Sequence, residues 1–209
     1  MVFDVDGTLY RSNSYVRHLR KTMIEVLAYL LGTSFEDAYH RLREVKAKVR
    51  TFSLSVEVLG IDRGTFYNLV AERVEACRYI PRRPELKSML EELRALGLRI
   101  GCHTNSGRRL AEKVLSCLGL GLRDFDVCVT SEDADPKPLE GGYLLFLRRL
   151  GLSAGEVLYV GDRWRVEVEP AKRLGMLTAL VSPKPRGEPD LYLRDVVELP
   201  EILRKLLGR

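Results

Sequence analysis

The sequence predicts an α/β fold: a parallel sheet flanked by helices, with a helical bundle inserted after the first strand. Three observations carry that prediction. From Leu98 onward, short apolar runs alternate with amphipathic stretches of helical length, the pattern of right-handed βαβ units. Residues 13–82 hold no comparable strand, and their apolar positions recur with a helical period. Four polar clusters each stand at or just beyond the end of a predicted strand. At 209 residues the chain has room for one fair-sized domain with a smaller insert.

The first strand is Met1–Asp4. Asn13 or Ser14 then caps a helix whose apolar positions are Val16, Leu19, Met23, Val26, Leu27 and Leu30, and Gly32 ends it. Ser34, with Asp37 three residues on, opens a second helix as a weaker version of the capping box. A short helix over Ser53–Leu59 stops at Gly60. Asp62 caps a fourth, with Phe66, Leu69, Val70, Val74 and Cys77 on one face. Pro81 and Pro84 close this four-helix bundle. The core then continues through strands at Leu98–Thr104, Phe125–Thr130, Val157–Val160 and Leu177–Val181, with a weaker one near Leu191–Leu193. Helices are predicted over Arg108–Leu118, Pro138–Leu150, Glu167–Leu174 and Pro200–Leu207. The expected division is a core of 1–12 and 83–209 and a helical insert of 13–82.

Composition narrows the function. A hydrophobic share of 45% builds a real core, and 30% charged residues of mixed sign with no charged tail exclude a disordered chain. No run of 18 apolar residues occurs and no secretory signal is read at the start, so a cytoplasmic protein without a membrane partner is expected. The net charge is +5, with 25 Arg against 9 Lys, an excess that suits a GC-rich or heat-adapted source. The basic residues are scattered without interleaved aromatics, so no nucleic-acid partner is expected. Residues 13–82 hold 12 basic and 8 acidic residues, which is either a solvated helix face or a basic lid over an anionic substrate. Cys77, Cys102, Cys117 and Cys128 show no CxxC spacing and lie apart from the histidines, so zinc is not expected. They read as reduced, mostly buried thiols, with the proviso that cytosolic disulfides occur in hyperthermophiles.

The chemistry lies in the four polar clusters: Asp4-Val5-Asp6-Gly7-Thr8, Thr104-Asn105-Ser106, Lys137-Pro138, and Gly161-Asp162 with Glu167 five residues on. In an open parallel sheet the carboxyl ends of the strands are where ligands bind, so the four meet on one edge. Asp4, Asp6 and Asp162 together repel one another unless a cation sits among them, and an all-oxygen set suits Mg²⁺. Thr104, nearby backbone N–H groups and Lys137 are placed to hold phosphoryl oxygens. One carboxylate facing phosphorus is a plausible nucleophile, and a second two residues on serves as acid and base.

These clusters resemble the four motifs of the haloacid dehalogenase superfamily, in its phosphatase branch. Phe3-Asp4-Val5-Asp6-Gly7-Thr8-Leu9-Tyr10 is similar to motif I, His103-Thr104-Asn105-Ser106 to motif II, and Lys137-Pro138 with Tyr143 to motif III. Val160-Gly161-Asp162-Arg163-Trp164 is similar to motif IV, and Glu169 to Met176 resembles the segment after it. The resemblance implies a Rossmann-like core with a C1-type cap. It implies Asp4 as the nucleophile that forms an aspartyl-phosphate and Asp6 as general acid/base. Thr104, with Asn105, would bind the phosphate, and Lys137 would offset charge on nucleophile and phosphate. Asp4, Asp162 and the backbone carbonyl of Asp6 would bind Mg²⁺. Glu167 stands where most relatives have Asp; one methylene longer, it either reaches the metal, holds a metal-bound water, or is a first-turn helix acid. The segment from Ser131 to Lys137 is one residue shorter than usual, which would move the lysine slightly.

The expected activity is Mg²⁺-dependent hydrolysis of a small phosphorylated metabolite by a monomer or small homo-oligomer. A phosphomutase of the same superfamily and a non-catalytic phospho-ligand-binding protein stay open as alternatives. Tyr10 and Arg163-Trp164 lean toward pyrimidine-nucleotidase-like relatives, and phosphoglycolate-phosphatase-like relatives share the plan. Tyr15, Arg17, His18, Arg20 and Lys21 follow motif I closely and are the candidates for reading the substrate, and Trp164 either flanks the entrance or packs.

Overall fold

The computed structural model describes residues 1–49 and 51–208. Strand β1 (Val2–Phe3) leads into five helical segments: α1 (Asn13–Leu31), α2 (Phe35–Val49), α3 (Phe52–Val58), α4 (Arg63–Arg73) and α5 (Ala76–Tyr79). Then follow α6 (Glu85–Ala95), β2 (Gly101–His103), α7 (Arg108–Leu118), β3 (Val127–Val129) and α8 (Gly141–Leu150). The chain closes with β4 (Leu158–Gly161), α9 (Glu169–Arg173), β5 (Leu177–Val181), β6 (Leu191–Leu193) and α10 (Leu199–Leu207). No helix among the described residues is long and apolar enough to cross a membrane.

The six strands form one parallel sheet in the order β3-β2-β1-β4-β5-β6. From β1 the chain builds outward through β2 and β3, then crosses back to lay β4 on the other side of β1. The order reverses between β1 and β4, and the carboxyl ends of those two strands open the crevice where such sheets bind ligands. Two-residue alternation sorts side chains to the two faces. Phe3 joins the apolar layer under α6, α7 and α10, which runs on into the helical insert. Val2 joins the layer under α8 and α9, with Tyr143, Phe146 and Met176.

Several elements differ from the sequence expectation. Helix α1 is capped by Ser12, whose Oγ accepts from the Tyr15 N–H at 3.1 Å, and Gly32 ends it at φ +62° as predicted. Among the described residues the insert has five helical segments, because the predicted fourth helix breaks at the extended residue Val74 before α5 resumes. Glu75 N–H, freed by that break, donates to His18 Nε2 at 3.1 Å. Helix α6, with Leu86, Met89, Leu90 and Leu93 on its buried face, is an element the sequence expectation lacks. The stretch predicted as one helix from Glu167 begins as a π-helical turn, Trp164–Val168, ahead of α9.

The largest correction is covalent. Cys77 and Cys117 form a disulfide across 40 residues, joining α5 of the insert to α7 of the core. The expectation of four reduced thiols holds only for Cys102 and Cys128, which lie opposite each other on β2 and β3. Around the disulfide, Lys113 Nζ donates to the Ala71 carbonyl at 2.7 Å and Arg109 pairs with Glu72 at 2.6 Å. Arg83, just after the insert, donates to the Leu9 carbonyl at 2.9 Å and makes two 3.0 Å bonds to Asp195.

Candidate active site

All four polar clusters reach the same crevice. Asp4 continues β1 by one residue, its N–H donating to the Val160 carbonyl at 2.9 Å. That places its side chain at the mouth of the sheet, and it is 2% exposed. Lys137 Nζ donates to Asp4 Oδ1 at 2.5 Å and to the His103 carbonyl at 3.0 Å. Thr8 Oγ1 donates to Asp4 Oδ2 at 2.9 Å. Lys137 is fully buried, with the carboxylates of Asp4 at 2.5 Å and Glu167 at 3.6 Å as its charge partners. The short connection before it has not moved it out of reach.

Asp6 is half-buried, and Tyr10 Oη donates to its Oδ1 at 2.5 Å. Gly7 follows at φ +101°, and a Cβ there would run into the Asp162 carboxylate. Only glycine lets the first loop pass this close to the fourth. Gly161 does the same for Glu167, whose Oε2 lies 2.9 Å from where a Cβ would be.

Asp4, Asp162 and Glu167 each bring a carboxylate oxygen within 4.8 Å of the others. Burial first, then the Glu167 charge, raises Asp4 to about 6. Burial, then Glu167 and Asp4, raises Asp162 to about 9. Burial pushes Glu167 the same way, but Arg163 and then Lys137 outweigh it and hold Glu167 at about 2. Glu167 is fully enclosed: its Oε1 takes the Arg163 guanidinium, at 2.8 Å from Nε, and lies 3.6 Å from Lys137 Nζ. Its Oε2 accepts from the backbone N–H groups of Asp162 and Arg163 at 3.2 and 3.1 Å. The longer side chain is therefore spent on shaping the Asp162 loop. Asp162 Oδ1, by contrast, is buried and has no hydrogen-bond partner among the described residues.

Thr104 is 3% exposed, and its Oγ1 accepts from the Ser106 N–H at 3.1 Å. Asn105 is a brace: its Nδ2 donates to the Lys137 carbonyl at 2.9 Å and its Oδ1 accepts from the Lys137 N–H at 2.8 Å. His103 packs among Tyr143, Phe146 and Tyr159, and burial keeps it neutral by lowering its pKa well below the usual range.

Over this floor lies a cavity of about 530 Å³ whose lining includes Asp4, Asp6, Thr104 and Asp162 from the core, and Tyr15, Arg20 and Lys46 from the insert. Of the five proposed reading residues, Tyr15 and Arg20 line it. His18 is turned to Glu75 and to the Tyr79 ring at 4.6 Å, and Lys21 pairs with Glu25 at 3.6 Å. Arg17 is exposed and is not part of the lining. Trp164 packs on Gly187. Sequence reasoning missed Lys46, Ser53 and Tyr67. The last two are joined at 2.6 Å, and Ser53 Oγ donates to the Asn105 carbonyl at 3.0 Å, stitching insert to core. The helical period around Leu42 and Val45 carries no sign that Lys46 faces a cavity.

The profile of the haloacid dehalogenase-like hydrolases matches residues 1–175. The chain belongs to that family. This hydrolase is 29% identical to a glyceraldehyde 3-phosphate phosphatase of Methanopyrus kandleri, over 99% of this chain and 97% of that one. It is 30% identical to a glyceraldehyde 3-phosphate phosphatase of Methanocaldococcus jannaschii, over 87% and 83% of the two chains. Among solved structures it aligns with a HAD phosphatase from Thermococcus onnurineus at a TM-score of 0.69 and 27% identity, covering 99% of this chain and 96% of the other.

Proposed function

We propose that this hydrolase is a phosphatase that cleaves a small phosphomonoester through an aspartyl-phosphate on Asp4, with Mg²⁺ as cofactor. The observation that carries the reading is the Asp4 carboxylate at the mouth of β1, held by Lys137 and Thr8 at 2.5 and 2.9 Å and opening on the cavity beside Asp6. The named activity of its relatives agrees with it.

The residues suit a hard divalent cation. The donors are all oxygen, three carboxylates converge, and Asp162 Oδ1 is buried with no hydrogen-bond partner among the described residues. Asp4 and Asp162 through their side chains, and Asp6 through its backbone carbonyl, would hold the ion, with Glu167 behind Asp162. When bound, Mg²⁺ supplies positive charge beside the phosphoryl oxygens and offsets the repulsion among the carboxylates.

The protein's own groups divide the work as follows. An Asp4 oxygen attacks phosphorus, and the bond from phosphorus to the leaving oxygen breaks. Asp6 gives that oxygen its proton. Burial raises Asp6 above the ordinary carboxylate range, against the Tyr10 hydroxyl bond, which favours a carboxyl that still carries a proton to give. Asp6 then takes a proton from water as the water attacks phosphorus, the phosphorus–Asp4 bond breaks, and phosphate leaves. Lys137 and Thr104 hold the phosphoryl oxygens, and Asn105 holds the Lys137 backbone. Residues 13–82 act as the cap that closes the site from water over the core of 1–12 and 83–209.

Two measurements test this reading. Purified protein should release phosphate from p-nitrophenyl phosphate with Mg²⁺ and stop with EDTA; release unaffected by EDTA would remove the metal from the account. The raised carboxyls set the pH dependence of metal binding. At pH 7 Asp162, at about 9, holds a proton that the ion must displace, while Asp4, at about 6, is mostly ionised. Mg²⁺ binding should therefore release about one proton and tighten as pH rises from 6 to 9. Calorimetry in buffers of different ionisation enthalpy reads that number, and a value of zero would contradict the assignment of Asp162.

A further inference from the structure

We propose that the cap side of the cavity binds a second anionic group of the substrate, so that the preferred ester carries a carboxylate or a further phosphate on a short carbon spacer. This rests on the phosphatase reading above and adds the substrate class to it. Arg20 on α1 and Lys46 on α2 both line the cavity, and neither has a carboxylate within ion-pair distance among the described residues. Lys21, next to Arg20 but outside the cavity lining, does have one in Glu25. Arg163 adds a third cation at the core rim, already engaged by Glu167.

An ordinary surface lysine turns its ammonium to water, away from other cations. Lys46 does neither. It is half-buried, and burial, then Arg20, then Arg163, depress its pKa. Like charges gathered on one wall cost stability until an anion joins them. The transferred phosphoryl group does not need them, because Lys137 and the core loops already serve it. Tyr15 gives a second, independent sign. Its side chain is 1% exposed, it lines the same cavity, and its hydroxyl has no partner among the described residues. A buried unpaired donor in a binding cavity is costly unless a ligand atom meets it. Leu19, Met23 and Phe52 also line this cavity, an apolar stretch that suits a short carbon spacer between two charged ends. Glyceraldehyde 3-phosphate, the substrate named for its relatives, has an uncharged tail, so this chain should differ from them.

The test is a pair of matched comparisons of kcat/KM with Mg²⁺: 3-phosphoglycerate against glycerol 3-phosphate, and propane-1,3-diol bisphosphate against its monophosphate. The first pair reads a carboxylate and the second a phosphate as the added anion. The anionic tail should win at least one pair by tenfold or more at low salt, and the margin should shrink at 0.5 M salt. Arg20→Gln with Lys46→Met should bring that ratio to within about twofold of one, and Lys46→Glu should lower it further. A wild-type ratio at or below one in both pairs overturns the proposal and leaves the phosphatase reading intact. A high ratio that both variants leave unchanged also overturns it. No turnover of any of the four esters overturns this proposal, and the absence of release from p-nitrophenyl phosphate as well overturns the phosphatase reading with it. A wild-type ratio at or below one in both pairs decides against the proposal without any variant, and a high ratio is assigned to Arg20 and Lys46 by whichever variant folds.

Discussion

Asp4→Asn is expected to lower phosphate release by roughly 10⁴-fold or more while leaving the fold standing. The amide keeps the size of the carboxyl but lacks the charge that attacks phosphorus. Asn at position 4 can still accept from Thr8, and Lys137 keeps the His103 carbonyl at 3.0 Å and Glu167 at 3.6 Å. The variant also removes one of three mutually repelling carboxylates, so its thermal midpoint should stay within about 4 °C of the parent, the shift of about 1 kcal/mol in a chain of this size. Asp6→Asn should be milder, slowing the reaction by ~10²–10⁴, because it removes proton transfer and not the attacking atom. Phosphate release under single-turnover conditions separates the two. Near-normal activity of Asp4→Asn would end the mechanism.

Breaking the Cys77–Cys117 disulfide is the change with the largest expected effect on stability. It closes a loop of 40 residues, for which the chain-entropy argument gives about 4 kcal/mol. For a chain of this length that is a fall in thermal midpoint of roughly 8–16 °C. Unfolding followed with and without a thiol reductant measures it. Cys77→Ser with Cys117→Ser should reproduce the loss and abolish the response to reductant. Equal midpoints with and without reductant, in protein shown by mass to hold the bond, would mean that the packing of α4 and α5 on α7 holds insert and core together unaided.

The floor of the site was legible because each part is local. Asp4, Asp6, Gly7 and Thr8 lie within one turn of chain, and the turn chemistry is written in their order. Strand alternation brought the other three clusters to the same edge, although Lys137 meets Asp4 across 133 positions. What stayed hidden depends on tertiary approach. Cys77 and Cys117 are ordinary helix residues until α5 docks on α7 and brings their Cα atoms to 4.9 Å. Glu167 read as a metal-site acid by position, and it does converge with Asp4 and Asp162; its other partners, Arg163 and two backbone N–H groups, become visible only when the π-helical turn folds the side chain under β4. Val74 kept the helical spacing of its apolar neighbours across a break in the helix, so periodicity alone could not see that break. Helix α6 is legible in the helical spacing of Leu86, Met89, Leu90 and Leu93, which bury one face, although the sequence reading places no helix there.

Chemical trapping of the intermediate tests the central claim most directly. The protein is mixed with a turning-over phosphate ester and Mg²⁺, quenched in acid within milliseconds, and reduced with borohydride. An aspartyl-phosphate is reduced to homoserine, and peptide mass spectrometry reads the position. Homoserine is expected at position 4, only when ester and Mg²⁺ are both present. Phosphate released at full rate with residue 4 still aspartate, or with the trapped residue elsewhere, would contradict it.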